Sequence, residues 1–120
     1  LLGHQYKLEV SGTEFFVDLL FYNRILQCLC VFALKRGKFK PEYAGKLNFY
    51  LNVLDDKVKL KHEKPSIGII LCKEKNNTEV EYSFKSINKA MGVATYKLSA
   101  EVPKEMKGIL PDAKKLKKLI

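Results

Sequence analysis

The run Ile67-Gly68-Ile69-Ile70-Leu71-Cys72 carries no charged or hydroxyl side chain. A strand built from it has nothing to offer water on either side, so it must be covered on both faces. That demand predicts a central strand in a layered protein, with helices against a sheet. The neighbouring strands are visible upstream. Residues 14–22 form a long β-branched and aromatic run and residues 25–34 a second apolar run, with Asn23-Arg24 breaking the chain between them. Preceded by a short alternating piece at 7–10 and the turn Ser11-Gly12-Thr13, they predict two or three antiparallel strands joined by tight turns.

The period changes after Lys40. Ala44, Leu47, Leu51 and Leu54 recur at three- and four-residue spacing, the stripe of an amphipathic helix over 41–54, with Pro41 in its first turn and Glu42 near its amino end. A basic loop over 57–64 closes at Pro65. Beyond the apolar run, residues 73–78 read as a turn, 80–84 as a short alternating strand, 87–91 as a helical turn and 93–98 as an edge strand. The tail from Pro103 has a helix-like start and stops at 108–111; Ala113, Leu116 and Leu119 then form a stripe with lysines facing out, which predicts a terminal helix docked on the domain or fraying past its end, in preference to a short membrane-surface helix. This order of elements is α/β or α+β.

At 120 residues the chain is expected to form one domain over 1–120. It opens on Leu1 rather than Met, so it is read as part of a longer protein with other domains. No stretch approaches the ~18 apolar residues of a membrane span, and no basic segment feeds a small-residue cleavage site. Cys28, Cys30 and Cys72 lie in apolar runs and read as buried thiols in a reducing, cytoplasmic compartment; His4 and His62 do not complete a zinc site with them. Basic residues number 22 against 13 acidic, a formal charge of +9. That excess favours a polyanionic partner, against the plain alternative of a solvated, lysine-rich surface.

Asp18 stands alone among Phe15-Phe16-Val17 and Leu19-Leu20-Phe21. A carboxylate in such a strand must be paired, metal-bound or shifted in pKa, and the bland reading is an edge position or a lysine partner. Strand alternation places Asp18 with Phe16, Leu20 and Tyr22, and places Val31, Ala33 and Lys35 on one face with Cys30, Phe32 and Leu34 on the other. If the two runs pair across Asn23-Arg24, Asp18 and the Ala33/Lys35 face look onto one pocket.

These residues resemble the C-terminal nuclease domain of the YhcG-like family, a bacterial branch of the PD-(D/E)XK nuclease superfamily. The likeness runs through His4-Gln5-Tyr6, Leu8-Glu9-Val10, Val17-Asp18-Leu19-Leu20-Phe21-Tyr22, the stretch from Leu34 to Asn52, and Ile67 to Cys72. It implies a restriction-endonuclease-like α/β core, a mixed central sheet with flanking helices, and metal-dependent DNA cleavage with Mg2+ or Mn2+. In the superfamily pattern Asp18 matches the first acid and Lys35 the lysine of acid-x-lysine, while Ala33 stands where glutamate is expected. Alanine offers no oxygen to a metal, so the resemblance implies a weakened or inactive copy. Three explanations compete: an introduced inactivating change, natural loss in a binding-only relative, or compensation by Glu9 or Glu42. The resemblance also places Lys46 and Tyr50 on a pocket-facing side of the helix away from its apolar stripe, with Gln5 and Tyr6 as supporting candidates, and it implies a homodimer. Arg36, Lys38 and Lys40 form a basic loop beside the pocket, suited to DNA phosphates or simply solvated. The rival function is a nonenzymatic nucleic-acid-binding or oligomerisation domain that kept the fold.

Overall fold

The computed structural model describes residues 1–96. Ser11 and Gly12, with φ of 51° and 84°, close a two-residue turn between β1 (Gly3–Val10) and antiparallel β2 (Thr13–Asn23). Positive φ at both turn positions matches the twist of the flanking strands, and Gly12 adopts it without a Cβ clash. The next turn is longer than the apolar run suggests. The Asn23 side-chain oxygen accepts the N–H groups of Ile25 and Leu26, at 3.0 and 2.9 Å, and Gln27 takes φ 53°. β3 therefore spans Cys28–Leu34 rather than starting at Ile25, which stands 92% exposed in the turn.

From β3 the chain goes through α1 (Pro41–Lys57), β4 (Lys64–Cys72), α2 (Asn77–Phe84) and β5 (Ala90–Thr95). The sheet order is β1-β2-β3-β4-β5, antiparallel through β3 and parallel from β3 to β5, a mixed α/β sheet as expected. Two successive parallel crossovers that step in one direction put their helices on the same face. Residues of α1 and α2 accordingly share one core cluster with that face of the sheet.

That cluster joins Val17, Leu20, Val31, Ile70 and Cys72 to Ala44, Leu47, Tyr50, Leu51 and Leu54. Gly68 lets α1 lie close, since a Cβ there would come within 2.8 Å of the Leu47 side chain. The opposite face gathers Leu19, Cys28, Cys30, Phe32 and Leu71 around partly buried Phe21, Leu34, Ile67, Ile69 and Tyr96. β4 is thus an internal strand with apolar side chains on both faces, and all three cysteines are buried.

The second half corrects the local reading at two places. Residues 80–84 are not a strand but the end of α2. Asn76 caps that helix, its side-chain oxygen accepting the N–H groups of Thr78 and Glu79, and Val80 and Phe84, one turn apart, pack on the core. Over five residues an i, i+4 pair and a two-residue alternation look alike, as Tyr82, 70% exposed, makes plain. The helical turn expected over 87–91 is absent: Ser86, at φ 72°, turns the chain and β5 begins at Ala90. β5 is the edge strand expected over 93–98, ending at Thr95; residues 97 and 98 and the tail from Pro103 lie outside the described residues. Among the described residues no helix is long and apolar enough to cross a membrane.

Candidate functional site

The cleft forms where β2 and β3 meet the first half of α1. The β1/β2 ladder skips Gln5 and Asp18, and Gln5 sits at φ 54°. The skip shifts the alternation of β2, so Phe15 and Val17 join the same core face as Leu20 and Tyr22 instead of opposing it. This corrects the simple face assignment while leaving Asp18 at the cleft. The β2/β3 register runs only as far as Leu19 and Phe32, and the Asp18 carboxylate takes over beyond it: Oδ2 accepts the Leu34 N–H at 2.8 Å and Oδ1 accepts the Gln5 amide at 3.2 Å. Asp18 is therefore held by a backbone donor and a glutamine; no lysine among the described residues pairs with it.

Lys35 follows directly on β3. Its N–H donates to the Leu71 carbonyl at 2.8 Å and its carbonyl accepts the Tyr96 hydroxyl at 2.8 Å, which fixes the backbone from two sides. Its ammonium lies 4.6 Å from the centre of the Tyr43 ring, a cation–π contact. Lys46, one turn on, lies 5.8 Å from the Tyr50 ring. Asp18, Ala33, Lys35, Lys46 and Tyr50 line one narrow cleft of about 30 Å³, together with Phe16, Val31, Tyr43 and Leu47.

Tyr50 is only 6% exposed and packs in the core, so α1 buries a wider face than the expected stripe and Tyr50 borders it. Tyr43 is the residue that sequence reasoning missed. Its signal is the spacing Tyr43, Lys46, Leu47, Tyr50, one flank of a helix at three- and four-residue steps. Gln5 is brought to Asp18, whereas Tyr6 packs against the core and Glu9 and Glu42 are not brought to the cleft. Glu42 is exposed in the first turn of α1, and Glu9 faces Glu14 across the hairpin while its carbonyl accepts the Lys57 ammonium. Arg36, Lys38 and Lys40 are exposed on the loop after the cleft rather than in it.

The donor set limits what the cleft can hold. Among the described residues Asp18 is the one carboxylate lining it, and Ala33, which borders the same space, supplies no oxygen. Among the described residues no three His, Cys, Asp or Glu side chains converge. Magnesium is usually held through one or two carboxylates with the substrate's phosphates completing the shell, and a single carboxylate already bonded through both oxygens is a poor resident site. The described residues do not fit a resident divalent cation.

Comparison with known proteins covers most of the chain. The family model of the YhcG PDDEXK nuclease domain matches residues 1–111. A curated relative, described as "Putative nuclease YhcG" from Escherichia coli (strain K12), is 36% identical over 115 residues, covering 96% of this chain. The chain spans 28% of the length of that relative. No solved structure matches the chain significantly.

Proposed function

The chain belongs to the YhcG PDDEXK nuclease domain family, and from that premise we propose that it is a DNA-directed nuclease domain whose own copy of the site binds its substrate and cleaves weakly or not at all. The observation that carries this reading is the meeting of Asp18 and Lys35 in one cleft that Ala33 also lines. PDDEXK nucleases generally use divalent metal ions, which polarise the scissile phosphate and lower the pKa of the attacking water. With alanine at position 33 the described cleft would offer such an ion a single carboxylate, that of Asp18.

The remaining residues have work that needs no metal. The Lys35 ammonium, held at the Tyr43 ring, is placed to offset charge on a phosphoryl oxygen. Lys46, on the exposed side of α1, is placed to hold a neighbouring phosphate. Gln5 keeps the Asp18 carboxylate turned toward β3. The alanine itself favours the second reading, a domain that binds nucleic acid and has given up cleavage.

Digestion of supercoiled plasmid separates the two. Ala33→Glu is expected to create or greatly raise cleavage in magnesium or manganese, and adding Asp18→Ala or Lys35→Ala is expected to abolish the gain, since groups that act on one transition state are strongly non-additive. Equal activity before and after Ala33→Glu removes the role given to position 33. Cleavage that survives Asp18→Ala moves the active site elsewhere.

A further inference from the structure

Beyond Lys35 and Lys46 in the cleft, exposed cations lie on the two loops that follow β3 and β4, and the backbone joins those loops. The parallel pairing of β3 with β4 continues past both strands: Lys35 N–H donates to the Leu71 carbonyl, Lys73 N–H to Gly37 at 2.9 Å and Phe39 N–H to Glu74 at 2.8 Å, with a bridge between Lys38 and Glu74. Phe39 pins this extension from beneath. It is 3% exposed, with its ring centre 6.3 Å from those of Tyr43 and Phe84. With Phe39 turned inward, Lys38 and Lys40 on either side are turned out, and Lys73, following buried Cys72, is exposed as well. None of these three lysines forms an ion pair with a described residue. Glu74 is the acidic neighbour in the second loop, and it leaves the joined loops with a net positive charge.

We infer that the two loops form one rigid cationic platform holding backbone phosphates of a nucleic acid beside the cleft, with Lys73 of the second loop acting alongside Lys38 and Lys40 of the first. The inference rests on the nuclease reading for the class of ligand. Its physical content is pre-organisation: loops already fixed by ladder bonds and a buried ring lose little freedom on binding. Ammonium groups without an acidic partner release the phosphates' counterions on binding and read no base. Lys35 leads straight from the cleft into the first loop, so a strand held on the platform continues into the site.

The test is fluorescence anisotropy of the full chain with two unrelated duplexes across a salt series in EDTA, where no cleavage interferes. Lys38→Ala/Lys40→Ala/Lys73→Ala is expected to flatten the log–log salt slope by about 2 to 3, at ~0.9 for each phosphate left without its lysine. A charge-matched control, Arg24→Ala/Lys61→Ala/Lys64→Ala, takes exposed cations from the far end of the sheet and is expected to change it by less than about 1. Lys73→Ala alone, at an exposed position, is expected to remove ~0.9 and keeps the inference testable should the triple variant fail to fold. Equal losses in both triple variants mean diffuse attraction and overturn the platform, as do an unchanged slope or no binding at low salt. The nuclease reading stands or falls separately. A protein that cuts after Ala33→Glu yet keeps its slope without the three lysines loses only the platform, and one that binds through them and never cuts loses only the chemistry.

Discussion

Asp18 serves structure before it serves any reaction. Its Oδ2 accepts the Leu34 N–H, a donor that the β2/β3 ladder leaves unpaired where the register ends. Asp18→Asn keeps a side-chain oxygen for that donor and is expected to leave stability within about 1 kcal/mol of the parent, whereas Asp18→Ala orphans the N–H and is expected to cost about 1–3 kcal/mol. Urea unfolding of the two variants checks this, and equal midpoints would mean that the bond contributes nothing. In the Ala33→Glu background both changes should end cleavage, so the pair separates the carboxylate's charge from its role as an acceptor. A lone acid in an apolar run announced that Asp18 needs a partner. The partner itself could not be read, because it is a backbone group 16 residues away.

Among the elements, α1 is tied to the sheet at its far end by Asp55. Its Oδ1 accepts the Ser66 N–H at 2.8 Å and its Oδ2 pairs with the Lys89 ammonium at 2.5 Å, while the fully buried Ser66 hydroxyl donates to the Leu51 carbonyl. One carboxylate thus joins α1, β4 and the chain leading into β5. Burial pushes its pKa up, but the hydrogen bonds from Lys89 and Ser66 outweigh that and hold it below the ordinary value. A depressed folded pKa stabilises the fold above the unfolded value of about 3.9, and that stability is lost as pH falls through the folded value. Asp55→Asn is therefore expected to cost about 1.5–3 kcal/mol at neutral pH, with the gap to the parent closing below about pH 4. Chemical denaturation at a series of pH values reads it; a gap that persists in acid would assign the loss to packing. The same scale shows why α2 does not read as a helix in the sequence, since the Asn76 cap decides between helix and strand where five alternating residues do not.

Across the whole molecule the cysteines report on both sheet faces. Cys28 and Cys30 belong to the face away from the described helices, Cys72 to the face under α1. Burial, with neighbouring Cys28 adding to it, pushes the Cys30 thiol up to about 12, and burial raises Cys72 as well. The thiolate is the reactive form, so the native protein at pH 8 is expected to resist iodoacetamide. If the two faces open together, Cys28, Cys30 and Cys72 become labelled over the same urea range in which the circular dichroism is lost. Earlier labelling of Cys72 would show that the helical face opens before the sheet does.

What the sequence determined by itself was local and periodic: an apolar run that had to be an internal strand, a change to helical spacing after Pro41, and strand parity that set Ala33 and Lys35 on one face. Side-chain period follows directly from backbone geometry, so neighbouring residues are enough to read it. Only the tertiary structure decided the skipped Gln5/Asp18 pair, the Tyr43 ring beneath the Lys35 ammonium, and the joining of the loop at Gly37 to the loop at Glu74. Each of these depends on how distant segments align, and that alignment is set by ladder registers and by the close seat of Leu47 over Gly68, quantities that no local window contains.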